Sequence, residues 1–175
     1  MTSGELKRAF TNYSGFVEVL LINRDNELIS GLSDGNIEIL NMSTGSIKRR
    51  LSGHSSSVKS LIINKNNELV SGSQDQTIKI WDMTTCLCKR TLTGQTNVVT
   101  SLVVNRNNQL IAGSHYQSIR IWNMARGSIE KVLNGHKDVV FSFALNNQNE
   151  DELISGSWAE IKIWSVSSGV CKQTL

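Results

Sequence analysis

His54, Ser71 and Asp75 are the residue types of a nucleophile, its general base and an orienting acid. Such a set activates a serine only where the hydroxyl is exposed on a strained turn beside an oxyanion site. Ser71 instead opens the stretch "SGSQDQTIKIWD", with no G-x-S-x-G pattern around it and no oxyanion site evident. Cys86 and Cys88 suggest a second chemistry, but no further Cys/His pair lies nearby to complete four zinc ligands. The three histidines, His54, His115 and His136, lie in different parts of the chain. No catalytic residue, metal or cofactor is therefore expected, and His54, Ser71 and Asp75 read as parts of a framework.

That framework repeats. Gly31, Gly72 and Gly113 follow at intervals of 41 residues, and Gly156 comes 43 later. The worn copies "SGLSDGNIEILN", "AGSHYQSIRIWN" and "SGSWAEIKIWS" start at Ser30, Ala112 and Ser155. In the second unit "VKSLII" from Val58, "ELVSGS" from Glu68, "TIKIWD" from Thr77 and "LCKRTL" from Leu87 have strand composition, separated by polar turns. "TIKIWD" alternates with period two, placing Ile78 and Ile80 on one face. Four strands in each unit predict one small antiparallel sheet. Such a sheet cannot bury both faces alone, and stacking several around an axis solves this. A sandwich would not need such similar units, and a solenoid would need parallel strands. Proline is absent, and Asn-rich runs ("NRDN", "NKNN", "NRNN", "NNQN") fit the tight turns.

"LSGH" ending at His54, "LNGH" ending at His136, the "SGS…D" turns and "IWD" ending at Asp82 carry a resemblance. The units resemble the WD-repeat β-propeller family over essentially the whole chain. The resemblance implies an all-β propeller domain over residues 1–175, with repeat units of roughly 5–45, 46–86, 87–127 and 128–169 and an outer strand at 170–175. It also implies four blades of four antiparallel strands, a to d from the channel outward. In that family a His before strand a, a Ser or Thr on strand b, an Asp in the b–c turn and a Trp on strand c form one hydrogen-bonded tetrad. Here His54, Ser71, Asp75 and Trp81 match fully. The first unit has Asp34, but Tyr13 and Leu40 replace the His and the Trp. The third keeps Trp122 but has Gln95 and Tyr116 for the His and the Asp. The fourth keeps His136 and Trp164, while its b–c turn is one residue shorter and brings Trp158 and Ala159 near the Asp place.

Strand d is carried by "ELKRAF", "SIKRRL", "LCKRTL", "SIEKVL" and "VCKQTL", five outer strands for four sets of a, b and c. One is left over whichever way a single ring closes. The chain could close as a four-bladed ring, pair with a second chain into eight blades, or belong to a longer repeat array. The reading preferred here is half of an eight-bladed ring formed by two chains, a homodimer.

The resemblance further implies a non-catalytic scaffold that binds a protein or peptide partner through the top face. Three positions per blade are implied: Phe16, Glu18 and Ser33, then Ser57, Lys59 and Gln74, then Val98, Thr100 and His115. The fourth blade gives Val139, Phe141 and either Ser157 or Trp158. Aromatic residues such as Phe16, Phe141 and Trp158 suit interface anchors. Basic pairs on strand d (Lys7-Arg8, Lys48-Arg49-Arg50, Lys89-Arg90, Lys131) offer the alternative of a phospholipid- or nucleic-acid-binding rim. Charged outer edges also guard sheets against edge-to-edge association. A net charge of +3 makes nucleic acid the weaker expectation. No apolar run is long enough for a membrane span. An odd cysteine count and no apolar leader in "MTSGELKRAFTNYSG" point to the cytoplasm or nucleus.

Overall fold

In "TIKIWD" Ile78 and Ile80 stand on one face and the large indole of Trp81 on the other, so the strand needs partners on both. The computed structural model describes residues 9–11, 13–115 and 117–175. It meets that need with four antiparallel sheets of four strands each. The first comprises β1 (Val17–Ile22), β2 (Glu27–Leu32), β3 (Ile37–Asn41) and β4 (Ile47–Leu51). The second comprises β5 (Val58–Ile63), β6 (Leu69–Ser73), β7 (Ile78–Asp82) and β8 (Leu87–Leu92). The third comprises β9 (Val99–Val104), β10 (Gln109–Ser114), β11 (Ser118–Asn123) and β12 (Ser128–Asn134). The fourth comprises β13 (Ser142–Leu145), β14 (Glu152–Gly156), β15 (Ile161–Ser165) and β16 (Cys171–Thr174). Every sheet runs in chain order, as consecutive hairpins dictate. Each takes as its fourth strand the one following its own third. The surplus "ELKRAF" segment lies largely outside the described residues, as do Lys7 and Arg8; Ala9 and Phe10 are described.

The turns between the first and second strands have one design. Asn64 accepts hydrogen bonds at Oδ1 from the Asn66 and Glu68 amides, 2.9 and 3.0 Å away. Asn23 and Asn105 do the same. These side chains mimic backbone and fix the hairpin.

The sheets lean on one another along their first strands: β1 contacts β5, β5 contacts β9, and β9 contacts β13. Pairing first strand to first strand is the mark of sheets fanning from a common hub. Three apolar clusters fill the seams. Ile29, Ile37, Ile39 and Leu51 of the first sheet meet Val58, Leu69, Trp81 and Met83 of the second. Val70, Ile78, Ile80 and Leu92 meet Val99, Leu110, Trp122 and Met124. Ile111, Ile119, Ile121 and Leu133 meet Val140, Leu153, Trp164 and Val166. Among the described residues no such cluster joins the fourth sheet to the first. The four sheets form an arc, with one uncovered face at each end.

The periodic glycines mark the closest approach between neighbours. A Cβ on Gly72 would lie 2.4 Å from Val99 Cγ1 of the next sheet and 2.6 Å from Ser60 Oγ. On Gly31 it would lie 2.8 Å from Val58 Cγ1. The repeat of 41 residues is thus the repeat of one steric requirement. Gly72→Ala is expected to wedge the second seam open and cost about 1–3 kcal/mol, the usual penalty of overpacking. A urea-unfolding midpoint equal to that of the unaltered protein would show that the seam yields freely.

Candidate functional site

Two kinds of polar assembly are built on this frame: buried staples within the sheets, and a surface where the first strands begin. In the second blade, as each sheet is termed here, Trp81 Nε1–H donates to Ser71 Oγ at 2.7 Å. Ser71 Oγ lies 2.7 Å from His54 Nε2, and His54 Nδ1 lies 2.8 Å from Asp75 Oδ2. The donors run one way. The ionised Asp75 accepts from Nδ1–H, so Nε2 is the bare nitrogen and accepts the Ser71 hydroxyl proton. Asp75 also accepts the Ser55 amide at 3.0 Å, and the Thr77 amide and hydroxyl at 2.9 and 2.7 Å. Burial holds the His54 pKa below its usual value against the pull of Asp75. Burial pushes the Asp75 carboxyl up, but bonds from Thr77 and His54 outweigh it and leave its pKa lowered. Ser71 is wholly buried with proton and lone pair both engaged, so this trio offers no accessible nucleophile.

The fourth blade repeats the staple with a substitution that the sequence reading missed. Trp164 Nε1–H donates to Ser155 Oγ at 2.7 Å, and Ser155 Oγ lies 2.6 Å from His136 Nε2. The carboxylate facing His136 Nδ1, at 2.9 Å, belongs to Glu160 rather than to any residue at Trp158 or Ala159. The shorter b–c turn moves the acidic position, and the extra methylene of Glu recovers the reach. Glu160 also accepts the Lys137 amide and pairs with Lys162 Nζ at 3.3 Å. An acidic side chain in a shortened turn was the available signal.

The other two blades lack the staple. In the third, Ala112 stands where Ser71 stands in the second, and the indole N–H of Trp122 finds no hydrogen-bond partner among the described residues. Gln95 is buried and accepts from Arg120 at 3.2 Å. Tyr116 lies outside the described residues. In the first blade Leu40 fills the Trp place and needs no acceptor, so the buried Ser30 hydroxyl is left unpartnered among the described residues.

At the surface, two of the three expected positions are joined through the backbone in each of the first three blades. The Ser33 amide donates to the Phe16 carbonyl at 2.9 Å, the Gln74 amide to Ser57 at 2.8 Å, and the His115 amide to Val98 at 3.2 Å. Register shifts at the start of β1, β5 and β9 leave Glu18, Lys59 and Thr100 as extra residues. These residues reach between blades: Lys59 Nζ pairs with Glu18 at 2.9 Å, and the Thr100 hydroxyl donates to the Val140 carbonyl. The Lys59 hydrogen bond holds the Glu18 carboxyl below its usual pKa. Phe16, Gln74, His115, Phe141 and Trp158 are exposed. Phe141 and Trp158 stack edge-on with ring centroids 5.9 Å apart. Val98 is half-buried. Val139 and Ser57 leave the set of surface positions. Val139 is 4% exposed, and Ser57 is buried with its hydroxyl spent on Glu18 at 3.0 Å.

The sequence model described as WD domain, G-beta repeat matches residues 45–82, 86–123 and 127–165, more than half of the chain. The chain belongs to the WD-repeat family. The unmatched first unit is the one whose His and Trp places hold Tyr13 and Leu40. Among solved structures, a chain in the crystal structure of the mitotic checkpoint complex superposes with a TM-score of 0.85 at 23% identity. The match covers 94% of this chain and 52% of that one, so the WD-repeat chain spans about half the length of its structural relative. It is one of 1326 matching chains, a breadth that speaks for the fold and for no particular partner. No curated protein matches at a significant level.

Two outcomes follow from the staples. Ser71→Ala and Ser155→Ala each strand an indole N–H and a histidine nitrogen, and each should cost about 1–3 kcal/mol, whereas Ser30→Ala should cost nothing. Equal urea midpoints for the three variants would show that the staples carry no net stability. Burial of His54 and His136 lowers both pKa values below the usual 6.5. The unfolded chain therefore binds more protons than the folded one below that point, and stability, complete above pH 6.5, falls as pH drops through the window beneath it. The lowered pKa values of Asp75 and Glu160 put their own losses at still lower pH, below the ordinary 3.8 and 4.5. A denaturation midpoint that stayed flat from pH 7.5 to 5 would mean that both rings are free to protonate in the fold.

Proposed function

We propose that this WD-repeat protein is a non-catalytic scaffold that binds a protein or peptide through the surface at the start of the first strands. The observation carrying this reading is the pairing of expected positions in the first three blades, through the bonds of Phe16 with Ser33, Ser57 with Gln74 and Val98 with His115. Exposed aromatic anchors stand at both ends of the row, Phe16 at 83% and Trp158 at 72% exposure. Aromatic side chains bury much area for little lost freedom, which suits them to protein contacts. The structural relative in the checkpoint complex is itself part of a protein assembly.

The rim reading gains less support. Lys48 and Arg49 pair with Glu27, Arg50 with Glu38, Lys89 with Glu68 and Lys172 with Glu152. Lys131 donates to the carbonyls of Val166 and Ser167. These cations already face acceptors, which leaves less field for a polyanion. None of the described elements is a helix long and apolar enough to cross a membrane.

The same proposal includes a ring of eight blades formed by two copies. Its support is the pair of uncovered apolar faces, one at each end of the arc. Val17 is 41% exposed where its counterparts Val58, Val99 and Val140 are fully buried, and Ile161 is 46% exposed where Ile37, Ile78 and Ile119 are fully buried. The free thiols of Cys86, Cys88 and Cys171 accord with a reducing compartment, cytoplasm or nucleus.

Affinity capture with immobilised protein tests the scaffold reading. Gln74→Arg with His115→Glu alters the two inner blades, away from the arc's ends. Phe141→Ala with Trp158→Ala removes the aromatic pair. Both are expected to fold as the unaltered protein does and to lose a shared set of bound proteins. Unchanged captured sets with both variants would reject this surface.

A further inference from the structure

The third blade keeps the donors of a staple and lacks its acid. In the second blade Asp75 accepts from the ring of His54 and from the Ser55 amide. In the fourth, Glu160 accepts from His136 and from the Lys137 amide, the latter at 3.1 Å. The matching positions in the third blade are Gln95 and Thr96. Gln95 is 6% exposed. Its Oε1 accepts from Arg120 Nη1 at 3.2 Å, which fixes the orientation of the amide and leaves Nε2 without a partner among the described residues. The Thr96 amide meets no acceptor among the described residues either. Arg120 Nη1 also donates to the Thr96 and Ser118 hydroxyls at 3.3 and 3.0 Å, so guanidinium, side-chain amide and backbone N–H gather at one place. The counterparts of Arg120, Lys79 and Lys162, stand beside an acid. Lys162 pairs with Glu160 at 3.3 Å, and the charge of Lys79 acts on His54, the partner of Asp75. Arg120 faces neutral acceptors, and burial lowers its pKa. The local sequence supplies no acid: "TGQTN" at 93–97 and "SHYQS" at 114–118 contain neither Asp nor Glu.

We propose that Arg120, Gln95 and the Thr96 amide form a receptor for a carboxylate from outside the chain, an aspartate or glutamate side chain of the bound protein or peptide. That group takes the role that Asp75 and Glu160 fill from within their own blades. The inference rests on the scaffold reading above, and the position accords with it. Ser118, which touches Arg120, ends the turn that carries His115 of the exposed row. Thr96 is exposed and Arg120 half-buried, so a carboxylate reaches them from solvent. Hydrogen bonds from a guanidinium to a carboxylate are roughly twice as strong as those between neutral groups. A carboxylate is the fitting anion because the two sibling sites hold that group.

NMR titration of the nitrogen-15-labelled protein near neutral pH tests this with two probes, sodium acetate and the blocked tripeptide acetyl-Gly-Glu-Gly-amide. Sodium chloride and the tripeptide with Gln for Glu are the controls. Both carboxylates should move the Thr96 amide and the Gln95 side-chain amide to saturation and leave the Ser55 and Lys137 amides in place. The controls should move none of them. Arg120→Gln should weaken both responses by roughly tenfold or more, the scale of one charged hydrogen bond. Tyr116→Asp supplies an acid from within the chain and should abolish them. Unmoved indole signals of Trp81 and Trp164 show that a variant keeps its fold. The absence of a saturating shift with either probe would overturn the receptor, as would equal responses in a folded Arg120→Gln. Binding of acetate without the Glu tripeptide would overturn a partner's side chain as the source of the carboxylate. Failure of the affinity-capture test would reject the scaffold surface and leave acetate binding standing.

Discussion

Each of these sheets has two apolar faces, and burying both requires a neighbour on each side. That constraint governs the rest of the structure. It sets the side-chain alternation on strands such as β7, where Ile78 and Ile80 serve one seam and Trp81 the other. It sets the glycine at the point of closest approach, where Val99 leaves no room for a Cβ on Gly72. It also explains why the arc's ends differ from its middle. The same residue types that disappear into the seams of the inner blades stay open to solvent on the first and fourth.

The staples act inside this packing. Hydrophobic contact is not directional, and two sheets pressed together by it could slide. A chain of bonds from Trp81 through Ser71 and His54 to Asp75 ties the third strand, the second strand, the entry loop and the turn of one blade into a single geometry. The four blades show how far the chain can be worn. The fourth keeps it by trading Asp for Glu160. The first avoids the need by replacing an indole with Leu40. The third keeps Trp122 without the serine and carries a buried N–H unpartnered among the described residues. A buried polar group without a partner costs more than a missing bond gains, so the indole of Trp122 carries a local penalty that those of Trp81 and Trp164 avoid.

Side chains at the start of the first strands do a different task. Register shifts turn Glu18, Lys59 and Thr100 toward the neighbouring blade, where they add polar contacts to the inner wall of the arc. The positions left over, Phe16, Gln74, His115, Phe141 and Trp158, form the exposed row. Contact between blades thus comes from Glu18, Lys59 and Thr100, while Phe16, at the entry of β1, stays open to solvent.

The amino-acid sequence by itself determined the repeat, the strand-turn pattern and the composition of the second blade's staple, because all of these are local. Period-two alternation and Asn-rich turns act within a few residues of themselves, and a 41-residue glycine repeat is visible without coordinates. Glu160 escaped because its role depends on how far a shortened turn moves a carboxylate, and Val139 was misplaced because its burial is set by the folded chain around it. The unpartnered N–H of Trp122 was likewise invisible. Each depends on residues from two segments meeting in space, and only the stacking of one sheet on the next brings them there.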